Sequence, residues 1–207
     1  MFNVKRYQAT DNSQILAFMQ AHPFAIVTGM GADGYPVATH IPLEVEQQQD
    51  GSMVITGHVA RKTDHARAWE QNPNALVIFT GPHVYVSASW YTDTQMASTW
   101  NYMTVHAKGK IQLLDEEGTY KIIKKLTDRY EAHSATPASM EKMGEQYVRS
   151  NLKAIVGFSL VVEQLEHVFK LSQNRDDESH QNIIKQLNQL GTDDARAIAS
   201  AMEANRS

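Results

Sequence analysis

Strand-forming segments dominate the first two-thirds of the chain and do not alternate regularly with helices. The clearest are apolar, β-branched or alternating runs, at residues 24–28, 53–56, 75–79, 84–90, 100–114 and 154–162. A doubly wound parallel sheet needs a helix between successive strands, so this succession does not fit it. We expect a mainly β fold with accessory helices, in which an antiparallel barrel hides the sheet edges by closure.

A glycine motif near the start has two interpretations. Gly29-Met-Gly31-Ala-Asp-Gly34 matches the fingerprint of dinucleotide-binding folds, in which a strand precedes the glycines and a helix follows at once. Pro36 and Pro42 bracket the next segment, however, and a helix interior does not tolerate that pair. The alternation after Pro36 predicts a second strand that continues toward residue 45, with Asp33 and Gly34 in the turn. We therefore interpret the motif as a β-hairpin.

Amphipathic segments predict the accessory helices, at residues 11–21, 64–71, 116–132 and 178–190 and from Thr192 to about residue 202. The pattern changes after Arg175, which predicts a β domain at residues 1–175 and a helical extension at 176–207. The last two helices resemble a helix-turn-helix in outline. Residues 178–207 carry three basic and four acidic side chains, however, so their net charge of −1 favours packing on a partner subunit over DNA reading.

Composition excludes several functions. The 207 residues contain no cysteine, which rules out disulfides, thiolate metal sites and a cysteine nucleophile. The net charge of −4 shows no basic footprint for nucleic acid, and the apolar runs are too short to span a bilayer. No apolar signal segment follows the N-terminus, so we expect a cytoplasmic protein. The nine histidines lack metal-ligand spacing and no hydrolase signature appears, so we expect no metal, and the catalytic residues are unknown.

The segment from Gly57 to residue 65 offers the most chemistry. It ends a strand and opens a helix while presenting His58, Arg61, Lys62 and the Thr63 hydroxyl. A guanidinium, an ammonium and free helix amides at one place suit a phosphomonoester. A solvated basic pair beside the opposing charge of residue 64 remains the alternative.

Two aromatic-rich stretches follow, at residues 81–91 and 98–106. They fit either the wall of a site for a planar ligand or ordinary half-buried strands, and composition favours neither interpretation.

Several blocks resemble known proteins. Residues 53–79 are similar to the flavin-binding part of the split-barrel superfamily that includes pyridoxamine-phosphate oxidases, with Arg61-Lys62 and Asn72-Pro73 at matching positions. The chain more closely resembles the PaiB-type family of FMN-binding negative transcriptional regulators, in blocks at residues 36–43, 57–61, 79–87, 89–91, 99–102, 105–106 and 170–175. It departs from that family at Ala88, where proline is common, and at residues 93–98, which usually carry lysine and proline.

The resemblance implies an FMN-binding split β-barrel over residues 1–175, a homodimer with FMN at the subunit interface. It implies that the phosphate lies on Arg61 and Lys62, assisted by Thr63 or His58. The remaining cofactor-binding residues that it implies are Thr39, His40, Ile41, Trp100 and Asn101. For the cluster from Gln173 to Arg175, two roles stay open: contact with the cofactor, or stabilisation of the dimer.

Three functions remain open. The family implies a transcriptional regulator that senses flavin or redox state, although no residue here shows contact with DNA. An FMN-dependent oxidoreductase acting on an unknown small substrate is the second. A haem-binding or cofactor-free dimeric scaffold is the third.

Overall fold

The computed structural model describes residues 4–9, 11–93 and 95–206. In this part of the chain seven strands form one sheet, accompanied by seven α-helices and short 3₁₀ turns at Lys5–Tyr7 and Ala88–Trp90. The strands are β1 Phe24–Met30, β2 Pro36–Pro42, β3 Glu44–Gln47, β4 Met53–Ala60, β5 Asn74–Val86, β6 Thr99–Leu113 and β7 Ile155–Lys170. The helices are α1 Asn12–Ala21, α2 Asp64–Gln71, α3 Glu116–Glu131, α4 Met140–Met143, α5 Glu145–Leu152, α6 Asp177–Leu190 and α7 Asp193–Ala204. The predicted mainly β fold with accessory helices is confirmed.

The glycine motif is a hairpin, as predicted. β1 and β2 pair antiparallel over their full length, from Phe24 opposite Pro42 to Met30 opposite Pro36. Gly34 has a φ of 83°, the left-handed conformation that the turn needs and that glycine adopts without a side-chain penalty.

The second strand ends earlier than predicted. β2 stops at Pro42, and the residues after Leu43 form β3, which pairs with β4 instead. The sheet order is β2-β1-β5-β6-β7-β4-β3, so β2 and β3 occupy opposite edges although Leu43 alone separates them. Leu43 is 1% exposed, and its N–H donates to the carbonyl of Pro23, which redirects the chain. Such a sheet curls until its two edges approach each other without pairing, which is the split barrel.

Two compact units divide the chain. The barrel unit comprises Met19–Phe79 and His106–Leu165, and the helical unit comprises Met1–Phe18, Thr80–Val105 and Glu166–Ser207. The helical unit thus contains α6 and α7 together with earlier segments. The domain boundary between residues 175 and 176 stays a prediction.

The interior of the barrel unit is apolar on the alternate residues of each strand, as period-two strands require. Its fully buried side chains include Val27, Leu43, Ile55, Val77, Phe79, Phe158 and Leu160. Trp69 of α2 anchors that helix, because its indole N–H donates to the carbonyl of Thr28 at 3.1 Å and its ring lies 5.2 Å from the ring of Phe158. The helix after the Arg61-Lys62 turn is therefore fixed to the barrel interior.

In the helical unit, α6 and α7 follow the predicted signals. The Asp176 carboxylate caps α6, Gly191 ends it with a φ of 68°, and the Thr192 hydroxyl caps α7. Ile183, Leu187, Ile198 and Met202 are fully buried, so both helices present an apolar face to their own unit.

Two segments differ from the sequence predictions. The strand expected at residues 154–162 is a strand of 16 residues. Its second half shows no apolar alternation, because Glu163 and Gln164 are exposed and the next three residues are half-buried. α4 and α5 were missed because they are short. Met140, Val148 and Leu152 form a small buried cluster beneath them.

Gly109 tests the close approach of β6 and β7. A Cβ at this position would collide with the carbonyl oxygen of Val161 and lie 2.7 Å from the Leu160 side chain. We expect Gly109→Ala to lower the free energy of unfolding by about 3 kcal/mol, because backbone must move. Gly34→Ala, which meets no atom within 4 Å and carries only the penalty of positive φ, is expected to cost about 1 kcal/mol. Urea denaturation measures both, and equal losses would contradict the close approach.

Candidate functional site

The Arg61-Lys62 turn leaves β4 and leads into α2. The N–H of Arg61 donates to the carbonyl of Ala154 at 2.9 Å, and its guanidinium donates to the carbonyl of Ile155 at the same distance. Both side chains are exposed, and no ion pair joins either to an acidic residue in the described chain. The turn is therefore held by β7 while most of its charge-bearing donors stay open.

The start of α2 explains why Asp64 does not neutralise the pair. The Asp64 carboxylate accepts the N–H of His65 at 2.8 Å and lies 3.0 Å from its imidazole Nδ1. The backbone hydrogen bond from His65 is the main reason that the pKa of Asp64 lies below its ordinary value. Thr63 is the N-cap residue, yet its hydroxyl donates to the carbonyl of Ala60 at 2.7 Å and caps no amide. Asp64 thus engages its own helix rather than the basic turn.

His58 lies on β4, three residues before the turn. Burial lowers the pKa of its imidazole, so the ring is neutral at pH 7. Its Nδ1 is buried and has no hydrogen-bond partner in the described chain. Buried ring nitrogens are usually hydrogen-bonded, so this atom points to a partner that is not part of the chain.

The three predicted flavin-lining residues of β2 do not share one face. Thr39 and Ile41 lie opposite Val27 and Ala25 of β1, so their side chains are on the same side of the hairpin as these buried residues. His40 points to the other side, where its ring lies 6.3 Å from the ring of Phe24. A single ligand contacts all three positions only if backbone groups take part. β2 is an edge strand, so half of its backbone groups have no strand partner.

The structure brings most of the predicted residues into one region of the barrel unit. β2 contacts α2, which follows the Arg61-Lys62 turn. It also contacts β4, which carries His58. The region is open, however. Two clefts of the barrel unit, of about 670 and 560 Å³, contain none of the predicted site residues. Arg61 and Lys62 are exposed and His58 is half-buried, so the described chain presents these groups without enclosing them.

Trp100 and Asn101 lie in the helical unit. Trp100 is 53% exposed and forms an aromatic patch with His83 and Tyr85, whose rings lie 6.2 and 6.0 Å from its own. Asn101 is fully buried, and its side chain exchanges hydrogen bonds of 3.0 and 3.1 Å with the hydroxyl of Ser172. Asn101 has its hydrogen-bonding capacity engaged inside its unit, whereas Trp100 presents an accessible ring. Their cofactor contacts stay predictions.

The helical unit also holds a basic site that the residue patterns did not single out. The guanidinium carbon of Arg175 lies 4.0 Å from the centre of the Tyr91 ring, and the pKa of Lys170 is lowered by burial and then by the charge of Arg175. The only sequence signal was that these residues fall within two blocks of the family resemblance. Spacing gave no sign, since about 80 residues separate Tyr91 from Arg175.

Known proteins share both the sequence pattern and the fold. The family model described as "Putative FMN-binding domain" matches residues 1–164. The chain is 35% identical over 203 residues to the "Protease synthase and sporulation protein PAI 2" of Bacillus subtilis, covering 98% of this chain and 97% of that one.

Solved structures resemble the fold at lower identity. The flavocytochrome Anf3 from Azotobacter vinelandii has a TM-score of 0.59 at 16% identity and covers 84% of this chain and 74% of its own. The FAD and haem binding protein from Mycobacterium smegmatis has a TM-score of 0.57 at 18% identity and covers 82% of this chain and 75% of its own. These likenesses support the predicted split barrel.

No helix in the described part of the chain is long and apolar enough to cross a membrane.

His58 makes stability depend on pH. Its folded pKa lies below the ordinary value of 6.5, so the unfolded chain binds more protons as the pH falls through that value. The protein therefore loses stability below about pH 6.5. We expect His58→Asn to reduce the difference in unfolding free energy between about pH 7.5 and about pH 5.5. Urea denaturation at both pH values measures it, with the exposed His133→Asn as control. An unchanged difference in His58→Asn would contradict the assignment.

Proposed function

The chain belongs to the FMN-binding family whose model covers residues 1–164, and from that membership we propose a flavin-responsive transcriptional regulator that works as a homodimer with FMN at the subunit interface. FMN is the cofactor that the family membership assigns. One observation carries the placement of its phosphate. The exposed Arg61-Lys62 pair before α2 forms no ion pair with an acidic residue of the described chain, and it follows a half-buried histidine, His58, whose Nδ1 has no hydrogen-bond partner there.

The residues present fit an FMN phosphate. The Arg61 guanidinium keeps donors beyond the one used on Ile155, and Lys62 adds a point charge. α2 contributes the positive end of its dipole. His58, being neutral, offers a donor or an acceptor to a polar atom of the cofactor without a charge cost. The backbone edge of β2 is proposed to line the flavin, with Thr39, His40 and Ile41 as its positions.

An open site on one chain supports a site shared by two. The outward face of β1 and β2 carries Phe24 at 65% exposure, and β2 shows no fully buried residue on either face. An uncovered edge strand with apolar neighbours is unfavourable in water and is commonly covered by another chain. A second copy that packs here would enclose the groups that one copy leaves open.

The last two helices argue against direct contact with DNA. α7 begins with Asp193 and Asp194, and its apolar residues Ile198 and Met202 are fully buried. A recognition helix needs an accessible, basic face toward phosphates. We propose that the flavin state acts through a partner protein, with bound FMN supplying the redox chemistry and the chain supplying its position.

The phosphate assignment predicts a selective loss. Arg61→Ala/Lys62→Ala should weaken FMN binding by about 3 kcal/mol or more, over a hundredfold, because each charge-assisted contact contributes roughly 1.5–3 kcal/mol. Riboflavin, which lacks the phosphate, should bind both proteins equally. The matched control is Lys121→Ala/Lys125→Ala, which removes two exposed lysines of α3. Titration followed by flavin fluorescence gives both affinities, and unchanged FMN affinity in the first variant would sink the assignment.

If FMN lies at the subunit interface, a substitution that disrupts the dimer should also weaken flavin binding. We expect Phe24→Glu to shift the protein from dimer to monomer in sedimentation experiments and to weaken binding of FMN and riboflavin alike. Leu190→Glu, at a similarly exposed leucine that ends α6, should leave both properties unchanged. A monomeric Phe24→Glu variant with full FMN affinity would show that one chain suffices for the site.

The regulator and oxidoreductase functions separate in two assays. A regulator predicts that cells carrying Arg61→Ala/Lys62→Ala show the transcript changes of a gene deletion, whereas the Lys121→Ala/Lys125→Ala control does not. An oxidoreductase predicts many turnovers of a nicotinamide reductant by the FMN-loaded protein. Sustained turnover with unchanged transcripts would overturn the regulator proposal.

A further inference from the structure

The turn that joins β7 to α6 holds two half-buried cations without an acidic partner. The ammonium of Lys170 donates a hydrogen bond to the hydroxyl of Thr99, and the guanidinium carbon of Arg175 lies over the Tyr91 ring, 4.0 Å from its centre. In residues 4–9, 11–93 and 95–206, no ion pair joins a carboxylate to either cation. Burial disfavours an uncompensated charge, so cations that are partly withdrawn from water are stabilised by a nearby anion.

The guanidinium also has hydrogen-bonding groups to spare. Nε and Nη1 of Arg175 are buried without a partner in the described chain, and so is the hydroxyl of Tyr91, a residue only 7% exposed. Buried polar groups are hydrogen-bonded in the large majority of cases, so such atoms indicate a water or an ion that belongs to the site. An oxyanion accepts from a guanidinium N–H in a charge-assisted hydrogen bond, which is stronger than a neutral one.

Charge distinguishes an anion from water. Burial, and then the charge of Arg175, lower the pKa of Lys170, so the two cations repel each other. A water molecule would satisfy the N–H groups but leave that repulsion. An oxyanion removes both costs.

The nearest acids in the sequence are engaged elsewhere. The Asp176 carboxylate accepts the N–H of Ser179 at 2.8 Å and the hydroxyl of Thr92 at 3.3 Å, so it caps α6. The Asp177 carboxylate accepts a hydrogen bond from Arg206, which also donates to the carbonyl of Arg175. Neither carboxylate compensates the Lys170–Arg175 pair.

The turn between the cations is held in a strained form. Ser172 has a φ of 60°, which is rare for a residue with a side chain, and its hydroxyl exchanges hydrogen bonds with the buried Asn101. The side chain of Gln173 accepts the N–H of Leu171 at 2.8 Å. Strain that surrounding groups maintain often accompanies a binding site, because it fixes the positions of the binding groups.

We propose that Lys170, Arg175 and Thr99 bind an oxyanion group, a phosphate or a carboxylate, of a small molecule other than FMN. The inference goes beyond the proposed function, since the single phosphate of FMN is assigned to Arg61 and Lys62. Tyr91 acts as the positioning residue, because its ring contacts the guanidinium of Arg175. The site gives the protein a place for an anionic effector or substrate.

The test titrates FMN-saturated protein with inorganic phosphate and, separately, with acetate, against sodium chloride of equal ionic strength. We expect one or both anions to raise the Tm by about 3 °C in a saturable way, because a ligand that binds only the folded state stabilises it. The anion with the larger response identifies the group. Lys170→Gln and Arg175→Gln should abolish the response, whereas Arg196→Gln, at an exposed arginine of α7, should keep it.

Two further readouts separate this site from a structural role and from the FMN site. In chloride alone, Lys170→Gln should be no less stable than the wild type, because it relieves the repulsion. This variant carries the test if Arg175→Gln does not fold. The apo protein with Arg61→Ala/Lys62→Ala should keep the anion response. The proposal is overturned if the anion response is lost in Arg61→Ala/Lys62→Ala but kept in Lys170→Gln. It is also overturned if the wild type shows no response beyond that to chloride. Both conclusions hold whether or not FMN binds.

Discussion

One buried residue determines how the sheet is arranged. Leu43 is the single link between β2 and β3, yet these strands lie at opposite edges of a seven-stranded sheet. The chain satisfies this link only by curling the sheet until its edges approach. The edges still do not pair, so the β2 edge keeps backbone groups and apolar neighbours uncovered. The split in the barrel is therefore also the place where we propose that FMN and a second chain bind.

The basic turn depends on that arrangement. Trp69 fixes α2 against the barrel interior, and the carbonyl of Ile155 in β7 accepts a hydrogen bond from the Arg61 guanidinium. Asp64 engages its own helix, so the charge of Arg61 and Lys62 remains available. The helical unit shows the same condition at Lys170 and Arg175, two cations that no acidic side chain of the described chain neutralises. In each unit, uncompensated positive charge lies on backbone that other contacts hold in place.

Local chemistry made much of the fold predictable. Pro36 and Pro42 excluded a helix after the glycines, and Gly191 and Thr192 marked the junction of α6 and α7, because caps and breakers act within a few residues. The end of β2 was not predictable, since Leu43 looks like any strand residue until its pairing partner is known. The second half of β7 was missed because its polar side chains hide the strand period. Of the site, the basic turn followed from its residue types, whereas the contact of Tyr91 with Arg175 joins distant segments and needed the structure.

We propose that this chain binds FMN through the phosphate of the cofactor. The most direct measurement is a visible absorption spectrum of the purified protein, followed by titration of the apo protein with FMN and with riboflavin. We expect a flavin spectrum and an FMN affinity well above that for riboflavin. Equal affinities would contradict the phosphate site, and no flavin binding at micromolar protein would contradict the cofactor itself.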